Sequence, residues 1–220
     1  MKRTYKLGLL FTFLLLVSGL MSFSQTLKDF FTNSSTQLTY LGIDYSKNLI
    51  YKNPDADPAE IRDKYYTGIN DLVVKQQYDK NYDIGGAFGR KGTINIDINA
   101  VAENNKKVDI TQIVSPKKSD FKRLKEADIS TIVMGLNLES KEGIGLVFIM
   151  EGMKKVSGKG YGAIWITLID MNTKQVLMTE RDEHEAEGFG FRNYWASVIR
   201  RTIMDIDWSK YKDWKKKYRQ

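Results

Sequence analysis

The hydrophobic pattern changes period between Ile129 and Asp207. Four runs, Ile129–Leu138, Ile144–Met153, Tyr161–Asp170 and Lys174–Ala186, are apolar or alternate with a period near two, and they read as strands. Past Gly188–Gly190 the period lengthens to about 3.6. Trp195, Val198, Ile199, Thr202, Ile203 and Ile206 then share one stripe of a helix over Asn193–Asp207, with Arg200, Arg201 and Asp205 off it. A sheet handing over to a covering helix produces this change.

The turns between these runs are short. Lys141-Glu142-Gly143 reads as a hairpin loop, Ser157-Gly158 sits in a basic turn, and Met171–Lys174 joins two alternating runs. Connections this short imply antiparallel neighbours, because a parallel crossover needs a dozen residues or more.

The N-terminal half adds a strand and a long helix. Leu38–Tyr45 is apolar on both faces, which suits a buried strand. Asp57-Pro58-Ala59-Glu60 is a helix start, with a capping acid followed by proline at the first helical position. Ile61, Tyr65, Ile69, Leu72 and Val73 continue it at helical spacing to about Gln77. Thr93–Val101 alternates Ile94, Ile96 and Ile98 with polar residues and predicts a half-buried strand. Val108–Val114 is a weaker strand, and Ser119–Ala127 a short charged helix. The expected fold class is α/β (α+β): a mixed, largely antiparallel sheet covered by the long helix of the N-terminal half and by the C-terminal helix. Residues 25–207 form one domain of ordinary globular composition.

Residues 1–24 read as a secretory signal rather than as structure. Lys2, Arg3 and Lys6 precede the apolar stretch Leu7–Leu20, and Ser22 and Ser24 stand where a cut between Ser24 and Gln25 requires small residues. The expected location is periplasmic or secreted. The alternative, an uncleaved anchor, has an apolar core shorter than the roughly 20 residues that span a bilayer. The chain has no cysteine, which excludes disulfides, thiolate-bound metals, thiol nucleophiles and an N-terminal lipidated cysteine. Its net charge of +7 belongs largely to its ends: the signal carries three positive charges and residues 208–220 a further five, leaving the body at −1. A near-neutral body lacks the basic face of a nucleic-acid binder, so no nucleic-acid partner is expected.

Short phrases resemble a known group. Glu126-Ala127-Asp128-Ile129-Ser130-Thr131-Ile132-Val133-Met134-Gly135 is similar to an alanine-aspartate, apolar strand, glycine phrase in periplasmic proteins of the TolB N-terminal and CsgG-like α/β group. Leu168–Leu177 is similar to a strand-turn-strand phrase of the same group. Leu41–Ser46 and Gly188–Trp195 resemble a family of secreted bacterial proteins with no assigned function. The resemblance implies a two- or three-layer α/β sandwich, a role in envelope assembly, and no catalytic residue.

Candidate sites are few. The basic aromatic tail carries Trp208, Lys210, Tyr211, Trp214, Lys215, Lys216, Lys217 and Tyr218. Interleaved rings and cations suit an anionic membrane surface, an envelope protein, or a glycan stacked on the rings; the alternative is a helical extension packed on the body. Arg192 and Asn193 open the last helix, where free N–H groups can hold an anion, or where Asn193 simply caps a corner plugged by Phe189 and Phe191. Glu180, Asp182 and His184, the only histidine, would share one strand face and could hold a metal ion. The alternative is a solvated strand end paired with Lys154, Lys155 and Lys159. His184-Glu185 begins a zinc-protease motif, but position 188 is glycine where the second histidine should stand. The glycine-rich 85–92 stretch does not lead into the Lys-Ser/Thr and helix of a phosphate loop. No cofactor is expected. The reading is a non-enzymatic binding or assembly module of the bacterial cell envelope, with a small metal-dependent hydrolase using the 180–187 acids and His184 as the alternative.

Overall fold

The computed structural model describes residues 27–52, 55–79, 81–90, 94–139 and 141–219. The signal and its cut lie outside these residues, as does the end of the glycine-rich stretch at 91–92.

Strand β1 (Leu38–Asp44) is buried along its whole length. A strand with both faces covered belongs in the middle of a parallel sheet. It runs parallel to β5 (Ile144–Val156), with Leu38 opposite Ile144 and Asp44 opposite Ile149. β2 (Leu49–Tyr51) continues along the same edge of β5, opposite Gly152–Lys154. The two-residue strands β3 (Asn95–Ile96) and β4 (Val114–Ser115) flank β1 and β2, again in parallel. On the other edge β6 (Lys159–Asp170) and β7 (Gln175–Ala186) are antiparallel.

Four of the six strand pairings among the described residues are therefore parallel, in a curled sheet. This overturns the expectation of a largely antiparallel sheet. Short turns report only on neighbours in sequence, and they describe β5, β6 and β7 correctly. The pairing of β1 with β5 is made across the whole chain between Asp44 and Ile144, and no local pattern records it.

Two further expectations change for local reasons. Residues 126–134 are helix, not strand. Asp128 accepts from the Lys125 N–H at 2.8 Å at the helix start, and the buried Ile129, Ile132, Val133 and Leu136 follow helical spacing. The β-branched run gave a strand-like propensity that tertiary packing overrides. Lys141–Gly143 is consequently no hairpin loop. Among the described residues of the expected strand Thr93–Val101, only Asn95–Ile96 pairs as strand. Asp97 Oδ1 accepts from the Asn99 N–H at 3.2 Å and turns the chain into the helix Asn99–Lys106. Likewise the charged segment near 119 is a tight 3₁₀ turn over Lys118–Lys122.

The helices cover both sheet faces. Helix α1 comprises Pro58–Glu60, a wider π-helical stretch Ile61–Tyr66, and Thr67–Gln76. It packs on one face with α5 (Phe191–Asp205), around Tyr40, Phe148, Ile166, Trp195 and Ile199. Helices α3 (Asn99–Lys106) and α4 (Glu126–Met134) cover the other, around Leu41, Val101, Ile129, Val147 and Ile169. The short α2 (Ile84–Ala87) lies beside the C-terminal segment, where α5 passes through a second π-helical stretch, Ile206–Lys210, into α6 (Tyr211–Tyr218). No helix among the described residues is long and apolar enough to cross a membrane.

A bulge in β1 fixes the meeting of the layers. Gly42 has φ of 100°, and a Cβ there would stand 2.9 Å from Asn70 Oδ1. Asn70 of α1 accepts from the Ile43 N–H at 2.8 Å, and Asn105 of α3 accepts from the Tyr45 N–H at 2.7 Å. Two buried amides thus satisfy backbone N–H groups after the bulge and just past the end of β1.

Candidate functional site

The tail continues α5 and folds back on the body. The Trp214 indole is 4% exposed and donates to Glu180 Oε2 at 2.7 Å. Tyr218 stacks on Phe31 with ring centroids 5.4 Å apart, and Tyr211 lies 5.7 Å from the same ring. Arg90 ties the layer together. Its guanidinium donates to the carbonyls of Phe30 and Phe88, both at 2.6 Å, and to the Tyr211 hydroxyl at 3.1 Å. Lys216 and Lys217 are exposed and Lys215 is half-buried. Trp208 differs from the other tail aromatics: it is 70% exposed.

Trp208 stands at the rim of a groove of about 330 Å³ that Asn81, Asp83, Met204 and Asp207 also line. Asp83 is held in place by capping α2, accepting from the Gly86 N–H at 2.7 Å. An exposed indole beside carboxylates and an amide presents a flat apolar face and polar groups together. A second cleft, of about 460 Å³, opens where β1 ends, among Ser46, Lys47, Asn48, Asn104, Lys107 and Arg123.

Glu180, Asp182 and His184 alternate along β7 and turn toward α5. Each then does something different. Glu180 spends its carboxylate on Lys210 Nζ, at 2.5 Å, and on Trp214. Asp182 Oδ2 lies 3.1 Å from His184 Nε2 and 3.4 Å from Lys210 Nζ. Asp205 of α5 brings its own Oδ2 to 3.9 Å from the same imidazole nitrogen. Burial pushes the Asp182 carboxyl up, but the imidazole and the Lys210 ammonium outweigh it and hold the group below the ordinary carboxylate range. Burial would lower Lys210; Glu180 and Asp182 overcome that and raise it. The alternate acids of β7 face the other way. Glu183 pairs with Lys154 and Glu185 with Lys159, each at 3.1 Å, while Lys155 turns to Asp55.

On that other face lies Glu151, fully buried in β5. Oε1 accepts from the backbone N–H of Arg123 at 2.5 Å and of Leu124 at 2.7 Å. Oε2 accepts from Trp165 Nε1 at 3.1 Å and Arg181 Nε at 2.7 Å. This carboxylate joins the loop before α4 to the centre of the sheet and has no lone pair left for a ligand.

At the start of α5 the N-cap is Gly190, and no side chain caps the helix. Arg192 Nε donates to Asn193 Oδ1 at 3.2 Å. Phe189 is exposed, and Phe191 stacks on Tyr65 at 4.5 Å. The first N–H groups of α5 therefore carry no side-chain cap, and Asn193 stands inside the helix rather than capping it.

Asn81, Asp83, Asp205 and Asp207 escaped the sequence reading. Asn81 and Asp83 meet Trp208, and Asp205 meets His184, only through packing of α2 and α5, so spacing along the chain carried no signal for them; Asp207 adjoins Trp208 in sequence, but nothing local showed that the pair lines a groove. No family model matches the chain, and comparison with curated proteins gives no match. A solved structure, the PelC dodecamer from Paraburkholderia phytofirmans, aligns with 79% of this chain and 89% of its own at 10% sequence identity and a TM-score of 0.33. A likeness at that level carries no argument about fold or function.

Proposed function

We propose that the protein is a secreted or periplasmic, non-enzymatic binding module of a bacterial cell envelope, and that it holds a glycan in the groove rimmed by Trp208. The compartment is supported by the signal-like residues 1–24. The binding surface rests on one observation: Trp208 is 70% exposed while Tyr211, Trp214 and Tyr218 of the same segment pack inward. What sets Trp208 apart is that its exposed ring lines a groove together with an amide and two carboxylates. Stacking of sugar C–H groups on the indole, with Asn81, Asp83 and Asp207 meeting hydroxyls, uses the ring and the polar side chains that line the groove. The tail cations Lys212, Lys216 and Lys217 lie exposed on α6 and favour an anionic surrounding.

Fluorescence reads this surface directly, because Trp165, Trp195 and Trp214 are buried and Trp208 dominates quenching by acrylamide. Soluble cell-wall or exopolysaccharide fragments should shift its emission to the blue and protect it from quencher. Trp208→Ala should weaken retention on the same glycans at least tenfold, about 1.4 kcal/mol. Retention unchanged by that substitution overturns the groove. Capture of an envelope protein in a Trp208-dependent manner, with no glycan bound, would overturn the glycan and keep the surface.

A further inference from the structure

We infer that Asp182, His184 and Asp205 form a binding site for a divalent transition-metal ion of the zinc class. One ligand-type oxygen or nitrogen from each of these side chains lies within 4.8 Å of the others. The set is an imidazole and two carboxylates, a borderline-soft donor group that suits zinc better than calcium or magnesium. Around a tetrahedral ion at ordinary zinc bond lengths, ligand atoms stand about 3.3 Å apart. The observed separations, 3.1 Å from His184 Nε2 to Asp182 and 3.9 Å to Asp205, bracket that value. Three protein ligands leave the fourth position to water.

The decisive feature is what these atoms fail to do. The His184 side chain is 10% exposed and that of Asp182 16%. At 3.1 Å they are close enough to hydrogen-bond, yet His184 Nε2 and Asp182 Oδ2 are both buried with no hydrogen-bond partner. The contact is short but misaligned. Two donor atoms that share a hydrogen bond point at each other; two that share a metal point at a third place between them. Leaving such groups unmade in the interior costs free energy, and a cation at their common focus removes that cost.

Charge agrees with geometry. Glu180 and Asp182 share the ammonium of Lys210, and Asp205 stands beside the imidazole, so these three carboxylates and one ammonium leave the cluster short of two positive charges when His184 is neutral, which is what a divalent ion supplies. Lys210 keeps its 2.5 Å bond to Glu180 while the ion takes Asp182. Backbone shape contributes as well. The π-helical stretch Ile206–Lys210 begins directly after Asp205, and its wider turn brings residues five apart onto one face. Asp205 and Lys210 thereby both reach β7. The ion would pin the junction between α5 and the tail to the sheet; it is independent of any glycan in the Trp208 groove.

The test uses the full chain stripped with a chelator and titrated calorimetrically with zinc, with cobalt as a spectroscopic probe. One equivalent of zinc should bind, and cobalt should give the intense visible absorption of a tetrahedral site. His184→Gln and Asp205→Asn should each weaken zinc binding by about 100-fold or more. Glu103→Gln, an exposed acid on α3, should bind as the parent does. Asp205 is half-exposed, so its variant remains informative if His184→Gln fails to fold. Absence of zinc uptake by the parent chain overturns the site, and so does uptake that neither substitution alters.

Discussion

Two buried polar clusters lie on opposite faces of the same sheet, and they differ in how their lone pairs are used. Glu151 is fully buried and receives four hydrogen bonds, two from backbone N–H groups, one from Trp165 and one from Arg181. Across the sheet, the Asp182 and His184 side chains are largely buried, but each keeps an inward-facing atom without a hydrogen bond. A buried carboxylate whose acceptors are filled is part of the framework, because any ligand would have to displace bonds already made. A buried pair that converges without bonding has capacity left over. Burial alone did not separate the two cases; satisfaction did.

The largest expected effect tests the framework side. Glu151→Ala leaves Arg181 with its guanidinium largely buried and removes the acceptor for the loop before α4. It should lower stability by about 3–5 kcal/mol, read from urea unfolding. A loss under about 1 kcal/mol would mean that the network is ornamental, and the contrast with the other face would collapse.

The same measurement on the opposite face should give a different pattern. Without metal, His184→Gln removes no hydrogen bond made by Nε2, and its cost should stay within about 1 kcal/mol. With zinc at about a hundred times its Kd, the parent chain should gain about 2.7 kcal/mol and a higher Tm, while the variant, binding about 100-fold or more weakly, gains about 0.4 kcal/mol or less. An equal rise of Tm in both would show that zinc acts elsewhere.

The smallest effect concerns a third acid, Asp44 at the end of β1, which lies between the two cases. It accepts from the Ser46 N–H at 2.7 Å and from Asn104 Nδ2 at 2.9 Å, but burial outweighs both and raises its carboxyl above the ordinary range. A folded-state value above the unfolded one means that ionised Asp44 opposes folding. Its favourable contribution is present below the unfolded value, about 4, and is lost as pH rises through the folded one. Asp44→Asn, with the Asn104 amide free to rotate, should therefore be more stable than the parent at pH 7, by about 1 kcal/mol, and equal to it below about pH 4. Thermal melts across that range decide it; a variant less stable at pH 7 reverses the sign.

Local pattern was enough for a definite part of this molecule. The start of α1 at Asp57-Pro58, the antiparallel run β5–β7 and the buried stripe of α5 could all be read from the chain, because capping, turn chemistry and periodicity act over a few residues. Period also showed that Glu180, Asp182 and His184 share a face. What the chain could not display is anything joined across long separations. The parallel pairing of β1 with β5, the helical state of 126–134, the inward turn of Trp214 against Glu180, and the arrival of Asp205 beside His184 each depend on a partner distant in sequence. Those choices are made by packing, where burial and hydrogen-bond satisfaction over the whole interior outweigh the preferences of any one segment.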